Sequence, residues 1–384
     1  MKGDRIIVVG AGAWGGWTAL SLQQAGFEVT LVDKMGPGNA MSGSGGQTRI
    51  IRMAYGGHEV YTRMVDRAFS LWDAYCKEWG IELYHEMGSL WMFRGIAPRY
   101  ASLSEPLMKS WGYELNQLSL PEVAEKYPQI NLEGITSAYF EPKVGFLEAS
   151  RSCGIVLDHF VNAGGNYIQA EVTSVEGKSS VERILLKDGQ ELQADHFVFA
   201  CGPWMKQLFP ALAPYVQITR QEVYHFETRE DHIAGSLPIW LEFREGEEMY
   251  YGIPGAMEQG FKFAYDERTW ALDPDKDHRE ITPAILSKMR GVMGNRFPAL
   301  KEAEVLKHHT CVYENSPDGH FIMDDAPGKS NATILCGSSG HGFKMGPAMG
   351  EMMLNHLQGK ESLPEEFALK RLFNLGQKKT QYEV

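Results

Sequence analysis

Residues 5–33 read Arg5-Ile-Ile-Val-Val-Gly10-Ala-Gly12-Ala-Trp-Gly15-Gly-Trp-Thr-Ala-Leu20-Ser-Leu-Gln-Gln-Ala25-Gly-Phe-Glu-Val-Thr30-Leu-Val-Asp33. A short apolar run at 5–9 leads into a glycine-rich turn at 10–16. A helical stretch follows at 17–25, and a second strand at 28–32 ends on Asp33. Strand, turn, helix, strand and terminal acid in that order make a βαβ unit. Within it, the first glycine of Gly10-x-Gly12-x-x-Gly15 allows the tight turn. The second lets the backbone approach a pyrophosphate, and the third lets the helix pack closely on the strand. The helix N-terminus then offers N–H groups and a partial positive charge to phosphates. Asp33 stands where an acid accepts hydrogen bonds from ribose hydroxyls. A bare glycine triplet also occurs as a plain structural turn; the flanking elements here point to a nucleotide. The motif leaves nicotinamide and flavin dinucleotides open, while the acid at 33 disfavours a 2′-phosphate.

The rest of the chain sets bounds on what this unit can belong to. Its 384 residues suffice for roughly two domains. With 43% hydrophobic and 22% charged residues, the composition is that of a soluble globular protein. The net charge of -12, with no Lys/Arg block, argues against nucleic acid or an anionic membrane as a partner. No apolar run approaches the ~20 residues that span a bilayer. The N-terminal residues show no basic region followed by a long apolar stretch, so no secretory signal is expected. Cys76, Cys153, Cys201, Cys311 and Cys336 are odd in number and scattered, which favours a reducing, cytoplasmic setting over a disulfide framework. No Cys-x-x-Cys or His-x-x-His pairing suggests a metal site.

Further along, 58–80 carries a helical period through Val60, Met64, Ala68, Leu71, Trp72 and Tyr75. Residues 82–145 mix short strands with proline-marked helices, and 166–199 reads as strand–turn–strand about Asp188-Gly189. Aromatic and β-branched residues at strand spacing fill 215–268, and a helix is expected at 280–295. The strand 332–336, a glycine turn and a helix at 347–358 echo the opening unit. The expected fold is therefore α/β (α+β). A discontinuous Rossmann-like domain (1–82, 146–215, 322–384) would carry an inserted, mainly antiparallel β-sheet domain (83–145, 216–321) that holds the substrate.

Two further stretches bear chemistry. Ser42-Gly-Ser-Gly-Gly-Gln-Thr-Arg-Ile-Ile-Arg52 is a loop whose small residues allow close approach to a flat ligand. Arg49 and Arg52 would share a face if a helical turn begins there; a solvated loop with two surface arginines is the plainer reading. Cys336-Gly-Ser-Ser-Gly-His-Gly-Phe-Lys-Met-Gly346 is a glycine turn opening a helix, suited to an anionic group such as a reduced flavin.

With Thr48-Arg-Ile-Ile-Arg52, Ala200-Cys-Gly-Pro-Trp204, Tyr250-Tyr-Gly252, Cys311-Val-Tyr313 running to His320-Phe-Ile, and Ser339-Gly-His-Gly-Phe-Lys344, the chain resembles the monomeric sarcosine oxidase and N-methyltryptophan oxidase family of D-amino-acid-oxidase-like flavoproteins. The resemblance spans nearly the whole chain. It implies FAD held by Gly10, Gly12, Ala13, Trp14, Gly15, Asp33 and Lys34, by Ser42, Ser44, Thr48 and Arg49, and by Val172, Gly202 and Trp204. Gly340, Gly342, Phe343 and Lys344 complete that set. Cys311 matches the cysteine bonded through sulfur to the flavin 8α-methyl carbon; a buried free cysteine is the alternative. Arg52 and Lys344 match the pair that holds the substrate carboxylate. Lys262 matches the lysine that promotes reaction with oxygen, although a lysine between two phenylalanines on a strand can also face solvent.

Arg49 matches an arginine near the flavin. Tyr251 and Tyr313 match cavity residues. His341 matches a supporting histidine, with a core histidine satisfied by backbone as its rival. Asp266 departs from the pattern, standing where some members have histidine, as do Ser44-Gly45. Trp240 and Phe243 are candidates to bound the pocket. The implied activity is oxidation of a small amino acid at its C–N bond, with oxygen as acceptor, in a monomer. A dehydrogenase serving a quinone or carrier protein, or a flavin-binding protein without turnover, remains open.

Overall fold

The computed structural model of the chain describes residues 3–373. The parts of the expected cofactor domain at 1–2 and 374–384 lie outside the described residues. The opening strand, Arg5–Val9, is buried over four of its five positions. Ile6 and Val8 enter one apolar core and Ile7 and Val9 another. A strand apolar on both faces belongs inside a covered parallel sheet, and Arg5–Val9 pairs in parallel with Glu28–Asp33 on one side and His196–Phe199 on the other. The full six-stranded order is Ile322–Asp325, Ala332–Cys336, His196–Phe199, Arg5–Val9, Glu28–Asp33, Asn166–Gln169. Only the first pair in that order is antiparallel.

The helix after the glycine turn begins at Ala13 and runs to Gln24, earlier than the expected start at 17. Gly15 and Gly16 are poor helix formers, but packing overrides propensity. The helix is buried almost all round, between Gly346–Leu357 and Ala149–Asn162. A Cβ at Gly15 would stand 1.8 Å from the Gly10 carbonyl oxygen, and one at Gly350 2.5 Å from the Trp17 oxygen. Both contacts are to backbone, so neither neighbour can swing aside. Gly15→Ala is expected to destabilise the fold by about 1–3 kcal/mol, the usual cost of overpacking, read as a lowered Tm. An unchanged Tm would mean that the close contact is not needed.

The expected strand–turn–strand at 166–199 separates into two structures. Asn166–Gln169 and His196–Phe199 join the parallel sheet, while Val172–Glu176, Arg183–Leu186 and Glu191–Leu192 form a small antiparallel sheet, Asp188-Gly189 turning between the last two. Thr48–Ile51 is a strand, not the start of a helical turn. Its β-branched residues pair with Gly145–Glu148, which in turn pairs with Tyr84–Glu86.

The largest sheet runs Val305–Asn315, Gln217–Phe226, Phe261–Tyr265, Met249–Ile253, Ile239–Phe243, Ser89–Arg94, Ile135–Glu141, Asn116–Leu118. It is antiparallel except where Ile239–Phe243 meets Ser89–Arg94. Phe261, Phe263 and Tyr265 turn to a core shared with Met289, Met293 and Phe297 around helix Pro283–Arg296. Trp240 also lies in that core, whereas its neighbour Leu241 reaches the opposite side and lines a cavity. Among the described residues, no helix is long and apolar enough to cross a membrane.

Candidate active site

A long cleft opens at the carboxyl ends of the parallel strands. It is lined by Gly10, Gly12, Ala13, Trp14, Asp33, Lys34, Ser42 and Ser44, and by Val172, Gly202 and Trp204. Gly10 adopts φ +107°, a conformation that side chains resist. Asp33 is fixed by three backbone N–H groups: Ala11 at 2.7 Å, Met35 at 2.8 Å and Gly36 at 2.6 Å. The Ala13 N–H, at the start of the helix, donates to Ser44 Oγ at 2.9 Å, so the 42–44 loop is tied to the glycine turn. Lys34 and Trp204 are both bound by Asp275, at 3.0 and 2.9 Å, which arrives from the far side of the cleft. These hydrogen bonds, with one from Gln207 and the Lys34 charge, outweigh burial and draw the Asp275 pKa down to about 2.

The edge strand Val305–Asn315 separates this cleft from a second, inner cavity. Its alternate side chains part company: Val312 and Glu314 face the cleft, Cys311 and Tyr313 the cavity. Phe343 lines both and so stands between the two spaces. Arg49, Arg52, Lys262 and Lys344, from three widely separated stretches, all line the inner cavity with Tyr251, Tyr313, Gly340 and His341. Arg52, Lys262 and Lys344 are each only 4% exposed, which rules out the reading of surface cations.

Each cation is held by its own partners. Arg52 lies over the rings of Tyr55 (4.5 Å), Trp91 (5.4 Å) and Tyr100 (5.8 Å) and donates to the Ala54 carbonyl. The chain after it is pinned by Glu141, which accepts the N–H groups of Met53 (2.5 Å) and Ala54 (3.3 Å). Burial pushes Glu141 up to about 7 in spite of those donors and of Arg52. Lys344 donates to Tyr55 Oη at 2.8 Å and to the His341 carbonyl at 2.7 Å. Tyr55 Oη lies 3.2 Å from His341 Nδ1, and His341 Nε2 3.0 Å from the Gly319 carbonyl. That carbonyl can only accept, which assigns the Nε2–H tautomer and leaves Nδ1 to accept from Tyr55. Burial, then Lys344, hold His341 well below the ordinary histidine range, so it stays neutral. His341 thus props Tyr55 and, through it, Lys344.

On the other side, Lys262 donates to the carbonyl and hydroxyl of Thr48 at 3.0 and 3.1 Å. Thr48, expected to touch a cofactor, spends its polar atoms on Lys262. Arg49 donates to the carbonyls of Gly43 and Gly45 and reaches Cys311 Sγ at 3.1 Å.

The family model described as FAD dependent oxidoreductase (DAO) matches residues 5–355. The chain belongs to this family. An N-methyl-L-tryptophan oxidase of Yersinia pestis (strain Pestoides F) is 26% identical over 367 residues, covering 93% of this chain and 95% of that protein. Among solved structures, an L-proline dehydrogenase from P. horikoshii superposes with a TM-score of 0.82 at 20% identity, covering 96% of this chain and 98% of that one. Iminodiacetate oxidase from Chelativorans sp. BNC1 gives 0.77 at 18% identity, covering 95% and 98%. These two establish the fold.

The DAO-family cofactor suits the residues present. The cleft runs from the glycine turn and Asp33 past the 42–44 loop to Val172, Gly202 and Trp204, a lining that suits a dinucleotide. Glycines that admit no Cβ stand beside both spaces: at Gly340, in the inner cavity, one would meet the Tyr313 ring at 2.4 Å, and at Gly342, behind the cleft, the Trp14 ring at 2.5 Å. Gly15 and Gly342 shape the DAO cleft from behind, Gly342 through its carbonyl, which accepts from Trp14 Nε1 at 2.9 Å. Among the described residues, no group of three or more His, Cys, Asp or Glu could hold a metal ion. Tyr55, Glu141 and Asp275 escaped the sequence reading. Tyr55 and Asp275 lie in irregular segments without a period, and Glu141 ends a strand that also carries Thr136 and Ser137, so nothing set it apart as a buried acid.

Proposed function

We propose that this FAD-dependent oxidoreductase is an oxidase of the C–N bond of a small amino acid, with a secondary or N-methyl amine as the preferred group. The products are an imine, hydrolysed to a carbonyl compound, and hydrogen peroxide. The observation that carries this reading is the convergence of Arg52 and Lys344 on a cavity that shares Phe343 with the dinucleotide cleft. A buried pair of cations with aromatic walls is suited to a carboxylate, the arginine by its two-pronged geometry and the lysine as a point charge. Bound FAD supplies the two-electron acceptor for the C–H next to nitrogen. The protein's share is to fix the carboxylate, exclude water and set the approach, which is catalysis by positioning and electrostatics. Cys311 and Arg49 would hold the flavin end, with the covalent link through Cys311 Sγ; Lys262 would serve oxygen. We assign 1–82, 146–215 and 322–384 to cofactor binding, and 83–145 and 216–321 to the substrate.

An anaerobic screen of N-methyl, cyclic and primary amino acids tests the reading. Bleaching of the flavin by one class, with peroxide release in air, is the expected result. Bleaching without peroxide would make the protein a dehydrogenase, and no bleaching by any amine would remove the enzymatic reading. The covalent link has its own check: acid precipitation is expected to leave a yellow pellet. A colourless pellet under a yellow supernatant would show that Cys311 is unlinked.

A further inference from the structure

The inner cavity carries one carboxylate among its cations. Arg49, Arg52, Lys262 and Lys344 line it, and among the described lining residues Asp266 is the single acid. The strand Phe261–Tyr265 accounts for its place. Side chains alternate, so Lys262, Ala264 and Asp266 turn to the cavity while Phe263 and Tyr265 turn to the core behind. The Asp266 N–H continues the ladder by donating to the Met249 carbonyl at 2.8 Å.

The side chain of Asp266 is 5% exposed, and its Oδ2 lies 3.2 Å from an Arg268 guanidinium nitrogen. The other oxygen, Oδ1, is buried with no hydrogen-bond partner. A buried carboxylate oxygen that lacks a donor is costly, and an acid inside a cavity built for an anion also repels that anion. A ligand that brings an N–H and a positive charge to the Asp266 end of the cavity offsets the repulsion and supplies the carboxylate with a donor. The phenol groups of Tyr251 and Tyr313 line the same cavity; burial first, and Asp266 in addition, keep both protonated.

We propose that Asp266, flanked by Tyr251 and Tyr313, is the subsite for the substrate nitrogen, accepting an N–H from a zwitterionic amino acid whose carboxylate rests on Arg52 and Lys344. The inference rests on the carboxylate clamp of the proposed function and narrows the substrate class. An amino acid offers a charged donor where an ether acid of the same shape offers only an oxygen lone pair to a carboxylate. The cavity therefore selects amino acids over their oxygen isosteres.

The test compares two pairs of probes on the flavin-loaded protein: L-proline with tetrahydrofuran-2-carboxylate, and N-methylglycine with methoxyacetate. Dissociation constants come from saturation of anaerobic flavin reduction for the amino acids, and from flavin absorbance changes for the ethers. In the unaltered protein the better-bound amino acid is expected to exceed its ether by ~10-fold or more. Asp266→Asn, which keeps the shape, is expected to remove most of that ratio while leaving ether binding unchanged or tighter. Asp266→Glu, which keeps the charge, is expected to retain part of it. A ratio unaltered by Asp266→Asn, or absent from the start, overturns the subsite and leaves the clamp standing. Failure of both ethers and both amino acids to bind overturns the clamp and the subsite together.

Discussion

Arg52→Ala and Lys344→Ala, made one at a time, are each expected to weaken amino-acid binding ~10²-fold or more, the scale for removing one partner of a buried charge pair. The flavin absorbance spectrum is expected to stay as it was. The argument is electrostatic. Burial, and then Arg52, hold Lys344 well below the ordinary lysine range, with Glu141 pulling the other way. An anion laid across Arg52 and Lys344 relieves both terms, so its binding is linked to the charge on the pair. Arg52→Ala also strips packing from Tyr55, Trp91 and Tyr100. Arg52→Lys separates the two effects, because it keeps a charge and loses the two-pronged grip. Substrate titration of flavin bleaching without oxygen supplies the affinities. Unchanged affinity in both alanine variants would remove the clamp.

Lys262→Met is expected to slow reoxidation by oxygen ~10²–10³-fold, the scale for losing one preorganised charge or donor, while flavin reduction by substrate changes little. Burial, with Arg49 beside it, draws the Lys262 pKa down to about 7, against the opposing pull of Cys311. The cation is therefore present below that value and lost above it. The oxygen step should run faster at pH 6 than at pH 8, and this difference should disappear in Lys262→Met. His225 and His309 also stand near Lys262, but burial and the surrounding cations hold them at about 3 and about 2, so neither titrates in this window. Glu141 does titrate near 7. It pins the chain after Arg52, in the proposed carboxylate clamp, so the oxygen step must be followed by itself in stopped flow. An oxygen rate that survives the substitution, or that rises with pH, would reject the role of Lys262.

Much of the site could be read before the fold was known, for reasons that differ by residue. Gly10, Gly12 and Asp33 belong to one βαβ unit whose parts are close in sequence, so their geometry is local. Arg52, Lys262 and Lys344 carried only a matched pattern, and for Arg52 and Lys262 a plain surface reading stood until burial removed it. Thr48–Ile51 is too short, at four residues, for a helical and a strand period to be told apart; its partner, Gly145–Glu148, decided the outcome. Trp240 and Leu241 are adjacent, and either could have faced the cavity. Which did so was set by the register of Ile239–Phe243 against Ser89–Arg94.

The sequence by itself determined the dinucleotide unit, the strand–glycine–helix close at 332–357 and the identity of the cations, because these depend on residue type and short spacing. The tertiary structure alone decided that Tyr55 and His341 brace Lys344, that Thr48 holds Lys262, and that Asp266 shares one cavity with Arg49, Arg52, Lys262 and Lys344. Those relations join residues up to hundreds of positions apart. Hydrogen bonds and Coulomb forces act over a few ångströms of space, and distance along the chain says nothing about that separation until the sheets have paired.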